Sequence, residues 1–306
     1  MTVFGRFEKG SDVSEGISPP GTVLIAGCGD LGTEAGLRYA AAGHRVIGWR
    51  RSADKLPAGI EGVSVDLTGE LPPIPADTRI VVLATAADGR TEDAYRAAYL
   101  TATGNVLDAM ARDGVDAQVL LVSSTAVYGG DDGEWVDEST PVAPGTATAK
   151  ILASTEELLR NRRPDAVILR LSGIYGPGRN RLIDQLASGT AVLPPEVQWT
   201  NRIHRDDAAA AIVHLTTQVK GPEPVYIGVD HEPVDQGEVL EFLAAQLGVP
   251  TPPVGPSSSA RTGGTKRGTG KRLSNAALTA TGFTFTYPTF REGYLAVLNG
   301  DGVRHP

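Results

Sequence analysis

Thr22-Val-Leu-Ile-Ala-Gly-Cys-Gly-Asp-Leu-Gly32 is a run of apolar and β-branched residues that passes straight into Gly-x-Gly-x-x-Gly. Its first five residues lack polar alternation, the pattern of a strand buried on both faces. A helical stretch with Ala35, Ala40, Ala41 and Ala42 follows. In that setting each glycine has a steric task. Gly27 permits the tight turn, Gly29 lets the backbone approach a pyrophosphate, and Gly32 allows helix to pack closely on strand. The helix start, at Asp30 and Leu31, offers unpaired N–H groups to an anion. The run therefore predicts a dinucleotide-binding strand–helix unit.

Outward from it, short apolar runs alternate with Ala-rich helical stretches. Thr22–Ala26, Arg45–Gly48, Gly62–Val65, Arg79–Ala84, Gln118–Ser123 and Ala166–Leu171 read as strands. Helical patterns near 31–42, 91–112 and 149–162 lie between several of them. Such alternation predicts an α/β fold of Rossmann type, a doubly wound parallel sheet covered on both faces. The expected division is a loose leader over 1–20, a Rossmann domain over 21–175 and a partly discontinuous substrate-covering region over 176–306. In that last region Asp206–Thr217 and Asp235–Leu247 read as helices, the first expected to pack back on the Rossmann core. Pro250–Arg272, rich in Pro, Ser, Gly, Lys and Arg, reads as a mobile surface loop.

The second strand runs His44-Arg-Val-Ile-Gly-Trp-Arg-Arg-Ser52 and places Arg50 and Arg51 where an NAD enzyme commonly carries an acid for the ribose diol. A guanidinium cannot accept the diol's protons, but it matches a 2′-phosphate, so the cofactor expected is NADP. The same pair also reads as solvated surface charge. Asp66, followed by Leu67, is placed to accept from the adenine amino group or only to cap the next turn. Binding at the C-terminal strand ends adds Ala84, Thr85, Ala86, Ser123, Leu171 and Ile174 to the expected cofactor contacts. Cys28 reads as a small packed loop residue rather than a nucleophile.

The composition bounds the partners. The 306 residues are 41% hydrophobic and 21% charged, with a formal net charge of −8. That is enough apolar material for a full core. An acidic chain lacks the dense basic face of a nucleic-acid binder, so no nucleic acid is expected. The single cysteine excludes an intrachain disulfide and fits a reducing cytoplasm. No apolar run reaches membrane-spanning length. The five histidines show no metal-ligand spacing, and no metal is expected.

Further along stand Val122-Ser-Ser-Thr-Ala-Val-Tyr-Gly129, Asp137-Glu-Ser-Thr-Pro141, Leu169-Arg-Leu-Ser-Gly-Ile-Tyr-Gly-Pro-Gly178 and Arg202-Ile-His-Arg-Asp-Asp207. With Gly270-Lys-Arg-Leu-Ser and Tyr287-Pro-Thr-Phe-Arg-Glu-Gly293, the chain resembles the NAD-dependent epimerase/dehydratase family, the extended short-chain dehydrogenases/reductases, from about 22 to 298. The tight Gly-x-Gly-x-x-Gly points to its atypical branch. The resemblance implies an oxidoreductase acting on a small carbonyl compound or nucleotide sugar. It also implies a serine, a Tyr-x-x-x-Lys pair and a helix asparagine as catalytic machinery. Ser124 matches the serine. The pair is absent: Thr148 and Leu152 fill its places, or, in a shifted register, Thr146 and Lys150. Tyr99 stands at the asparagine position.

The chemistry explains why this matters. A phenol with an ordinary pKa near 10 acts near neutrality only beside a cation that lowers it, and the lysine provides that charge. Two classes of function stay open. In one, an enzyme works through Ser124 with a relocated phenol, Tyr99, Tyr128 or Tyr175. In the other, the chain binds NADP(H) as a sensor or partner-binding module without turnover. Tyr99 also reads as packing under the sheet edge, Tyr128 as a tyrosine that the resemblance puts beside the substrate without proton transfer, and Tyr175 as part of a common turn. His204 reads as part of a strand-to-helix turn in which Asp206 or Asp207 caps the helix. Arg202, beside Trp199 and Asn201, reads as a substrate contact or a surface ion pair.

Overall fold

The computed structural model describes residues 21–255 and 269–306. Seven strands form the central sheet: β1 (Thr22–Ala26), β2 (Arg45–Arg50), β3 (Glu61–Ser64), β4 (Thr78–Leu83), β5 (Gln118–Ser124), β6 (Val167–Leu171) and β7 (Val225–Gly228). Their order is β7-β6-β5-β4-β1-β2-β3, and every neighbouring pair is parallel. The order reverses between β1 and β4, which opens a crevice at the carboxyl ends of those strands. β1 is wholly buried, as its unbroken apolar run requires. β7 was not foreseen from the sequence. Its four residues come from beyond residue 175, and the carboxylate of Glu138 accepts its Ile227 N–H at 2.7 Å.

Helices Asp30–Ala41 and Arg205–Thr217 cover one face, where Leu31, Ala35 and Tyr39 share a core with Ala208, Ile212 and Leu215. The Tyr39 hydroxyl meets Thr216 Oγ1 between them. The other face is covered by the helical stretch 92–113 and by Ala147–Arg162, through Val106, Leu107, Met110 and Leu159. Residues Arg96–Thr101 of the former are wound as π-helix between α-helical turns. A further core joins helices Arg181–Ala187, Gln236–Leu247 and Phe290–Asn299 through Leu186, Leu243, Phe290 and Tyr294. The leader 1–20 and residues 256–268 of the expected loop lie outside the described residues. The end of that loop is not irregular: Gly270–Leu273 is a strand, paired in parallel with Asp132–Val136. A four-residue polar strand whose partner is remote in sequence carries no local signal, which is why composition alone read it as loop.

Candidate functional site

The glycines of the β1 turn divide by what surrounds them. Gly27 has φ +89°, and a Cβ there would lie 2.7 Å from the backbone of Ala84 and Thr85. A Cβ on Gly32 would stand 2.9 Å from Gly27 O and 3.0 Å from Ile25. Both are glycine because protein packs against them. A Cβ on Gly29 would meet nothing within 4 Å, so the chain is bare where a phosphate would approach. The first helical hydrogen bond runs from Thr33 N–H to Gly29 O at 2.7 Å, which leaves the N–H groups of Asp30, Leu31 and Gly32 ahead of it. These features fit a dinucleotide pyrophosphate.

A cleft of about 470 Å³ opens at this turn. Gly27, Gly29, Arg50, Arg51, Asp66, Leu67, Ala84, Thr85 and Ala86 all line it. These residues come from the ends of β1, β2 and β4 and the turn after β3. The opposite wall is Ala94, Ala97, Ala98 and Ala102. Those alanines were not singled out in the sequence, although small side chains facing a strand-end turn are what a broad cofactor slot needs. Leu31 and Gly32 are buried in the helix start. Leu171 ends β6 inside the core, and Ile174 pairs with Ile203. The Ser123 hydroxyl turns inward to donate to Glu156 Oε1 at 2.6 Å.

The charged groups around the cleft are each bonded within the protein. Arg50 donates to Cys28 O at 3.3 Å and to the backbone oxygen of Pro306 at 2.6 Å. Arg51 forms a two-pronged ion pair with Asp88, at 2.7 and 2.8 Å. It is an exposed pair, worth little against a competing phosphate. The Asp66 carboxylate accepts from the Thr68 N–H and hydroxyl, which hold its pKa below the usual range while its side chain stays on the cleft wall. Asp30, at the start of the helix, is bound to Arg205 at 2.7 Å and Arg179 at 3.0 Å. Its carboxylate ties the dinucleotide loop to the later part of the chain. Burial pushes the Cys28 thiol up to about 11, partly opposed by Thr33, so it is inert as a nucleophile near neutrality.

Ser124 ends β5 and Tyr128 and Tyr99 share a cluster after it, whereas Tyr175 belongs to the separate core of Phe290 and Tyr294. Ser124 is half-buried, and its Oγ accepts from Ala126 N–H at 3.2 Å, which leaves its O–H free to donate. Tyr128 is buried and its hydroxyl accepts from Arg170 Nη1 at 2.6 Å. Arg170 in turn is held by Glu156, both side chains being almost wholly buried. Burial outweighs the guanidinium, so the Tyr128 phenol lies above its ordinary pKa. Tyr99 packs on Tyr95, 5.3 Å between ring centres, and burial pushes its pKa up to about 12. Tyr175 is stacked on Tyr294 and raised further by burial. None of these phenols has a lysine beside it among the described contacts. Leu152 is buried, Thr148 touches the cap residue Thr146, and Lys150 is exposed.

Two turn readings need correction. The helix Arg205–Thr217 is capped by His204, whose Nδ1 accepts from Asp206 N–H, and not by Asp206 or Asp207. Asp207 instead accepts from the N–H groups of Thr286 and Tyr287. Burial holds His204 down to about 4, a neutral imidazole between Tyr175 and Tyr287. Arg202 is no surface ion pair: it is buried, donates to Thr200 Oγ1 and lies over the Phe290 ring.

Sequence reading also passed over Lys271, although it sits in the quoted Gly270-Lys-Arg-Leu-Ser. Its amine donates to Tyr128 O at 2.7 Å and Gly129 O at 3.3 Å, and burial lowers its pKa. It fastens the loop after Ser124 to the later strand. Among the described residues no cluster of three or more His, Cys, Asp or Glu side chains is placed to hold a metal. No helix among them is long and apolar enough to cross a membrane.

The model of the NAD dependent epimerase/dehydratase family matches residues 23–228. A solved Methylobacillus flagellatus protein named for NAD-dependent epimerases/dehydratases is 37% identical over 92% of this chain and 98% of its own, with TM-score 0.74. A functionally unknown conserved protein of Silicibacter pomeroyi is 29% identical, covering 92% and 99%, with TM-score 0.74. The fold also matches MoeE5 in complex with UDP-glucose and NAD, 22% identical over 91% and 98% of the two chains, with TM-score 0.74. No curated protein matches. The match to the family model, the 37% identity and the cleft at the Gly-x-Gly-x-x-Gly turn agree, and the chain belongs to the NAD-dependent epimerase/dehydratase family.

Proposed function

We propose that the chain is an NADP-binding oxidoreductase of this family, acting on a small carbonyl compound or a nucleotide sugar, with the Tyr-x-x-x-Lys relay lost. The observation that carries this reading is the placement of Arg50 and Arg51 on the cleft wall at the end of β2. Relatives of like fold hold NAD, as MoeE5 and the Bordetella bronchiseptica enzyme WbmG do. Two arginines in the ribose position favour the 2′-phosphate instead. NADP, when bound, supplies hydride transfer. Gly29 and the helix start hold its pyrophosphate, Arg50 and Arg51 its 2′-phosphate, and Asp66 with Leu67 its adenine. Ser124 orients a substrate oxygen through its free O–H. Residues 176–306 that lie outside the sheet and its covering helices enclose the substrate. The cytoplasm is the compartment that fits a single buried thiol.

A second reading, an NADP(H)-binding module without turnover, is favoured by one observation. Leu152 is buried in an apolar cluster where the relay lysine would stand. Titration of the protein with NADPH and NADH tests the first reading. NADPH is expected to bind tighter by about tenfold to a hundredfold, and Arg50→Ala with Arg51→Ala to erase the difference. Equal affinities in the unaltered chain would refute NADP. Turnover of a panel of aldehydes, ketones and nucleotide sugars that falls with Ser124→Ala supports the enzyme. Tight binding with no turnover across the panel supports the module.

A further inference from the structure

The last residues of the sequence return to the dinucleotide loop. Gly302 turns with φ +82° against Pro177. Val303 O accepts from Arg205 Nη2 at 2.7 Å, and the Arg304 guanidinium donates to Gly178 O. His305 N–H donates to Asp30 Oδ1 at 3.1 Å, and its Nε2 stands 2.9 Å from Glu34 Oε2. The backbone oxygen of Pro306 accepts from Arg50 Nη1 at 2.6 Å. Asp30 is the first residue of the helix that faces the pyrophosphate site, and Arg50 lines the cleft. The segment is thus fixed at one end by the loop 177–178 and at the other by the arginine at the end of β2.

We infer that residues 303–306 are a specificity-determining segment: they occupy Nη1 of Arg50, and a 2′-phosphate that takes this end of the guanidinium displaces the Pro306 oxygen. This rests on the proposed reading that Arg50 recognises the 2′-phosphate. A dinucleotide with a free ribose diol makes no such demand on the guanidinium and leaves the segment in place. A phosphate forms the stronger charge-assisted, two-pronged bond, so it wins the exchange at the cost of releasing the segment. The segment therefore weakens binding of the phosphorylated cofactor and leaves the other nearly unchanged. Its docking and the bound 2′-phosphate exclude one another at Arg50.

Hydrogen exchange of the full chain and titrations of two variants test this. Saturating NADPH is expected to speed exchange of the His305 amide at least about threefold, and NADH to leave it unchanged. His305→Ala, which loosens the segment without shortening the chain, and deletion of 303–306 are each expected to tighten NADPH binding by about threefold to tenfold. NADH affinity stays within about twofold in both. Slower exchange of His305 with NADPH, or NADPH binding that weakens or stays the same in both variants, overturns the inference. Failure of the underlying reading looks different. Arg50→Ala would then leave NADPH affinity unchanged even in the chain lacking 303–306.

Discussion

Leu152 lies in an apolar cluster with Val127, Tyr128, Val136 and Ile227, and Tyr99 packs against it; the ungapped register of the family resemblance expects a lysine and an asparagine at these two positions. The two replacements are one packing unit. An ammonium at 152 would enter a buried, largely apolar site, and Tyr99 packs against the same cluster. Leu152→Lys is therefore expected to lower stability by about 2–3 kcal/mol in urea denaturation without creating turnover. A variant as stable as the parent would show that the site still has room for the relay.

Gly29 and Gly27 are expected to separate binding from folding. Gly29 has φ −87°, a backbone any residue adopts, and its missing side chain faces open space. Gly29→Val should keep the melting temperature within a few degrees and lose NADPH binding. Gly27→Val should lose both, since its φ is +89° and its Cβ would strike the backbone of Ala84 and Thr85. Calorimetry with a fluorescence titration reads both properties, and retained binding in Gly29→Val would move the pyrophosphate elsewhere.

Glu156 and Arg170 form a buried ion pair that also accepts Ser123 and positions Tyr128. Removing one charge strands the other in low dielectric. Glu156→Ala is expected to cost about 3–5 kcal/mol and to change the near-UV signal of Tyr128. A loss under about 1 kcal/mol would mean that water reaches Arg170.

Asp230 supplies a dependence on pH. Its carboxyl is buried and pushed up from 3.8 to about 7, chiefly by burial. A raised acid stays protonated in the folded state while the unfolded chain ionises. Its contribution thus falls as pH rises from about 4 to 7 and is constant above. Each tenfold difference in proton affinity between the two states is worth at most about 1.4 kcal/mol. His204 acts oppositely. Held down to about 4, it stays neutral when folded and costs stability as pH falls below 6.5. The two partly cancel in the parent. Asp230→Asn isolates the first: its gain over the parent in chemical denaturation should be larger at pH 8 than at pH 5. An equal gain at both values would remove Asp230 as the cause.

The sequence made β1, β2, β4, β5 and β6 and their helices readable because buried parallel strands are continuous apolar runs and the helices between them are Ala-rich. Gly27, Gly29, Arg50 and Asp66, the expected cofactor contacts, come together on one cleft because they are local to those strand ends. β7 stayed hidden because Val225–Gly228 is only four residues long and more than fifty residues separate it from its partner β6. The helix Phe290–Asn299 did carry a signal that went unused: Thr289-Phe-Arg-Glu292 is a capping box, and both of its bonds form. The Asp30–Arg205–Arg179 cluster and the Lys271 anchor had no such trace. They are contacts between residues over a hundred positions apart, and a single sequence does not say which distant charges meet.

The pairing of Asp132–Val136 with Gly270–Leu273 sets an order of events during synthesis. All residues of β1 to β6 and of the Gly27–Gly32 turn have emerged from the ribosome once residue 171 has, ahead of the helix Arg205–Thr217 that covers one face. The loop after Ser124 is not yet latched: its clamp by Lys271 and the partner of Trp135 are made about 140 residues later. A nascent chain thus carries the strands around the Gly27–Gly32 turn long before the loop after Ser124 can be latched, a long-range closure of the kind that folds late. Cells that stall translation between these points would hold a fragment with β1 to β6 synthesised and the loop after Ser124 unlatched.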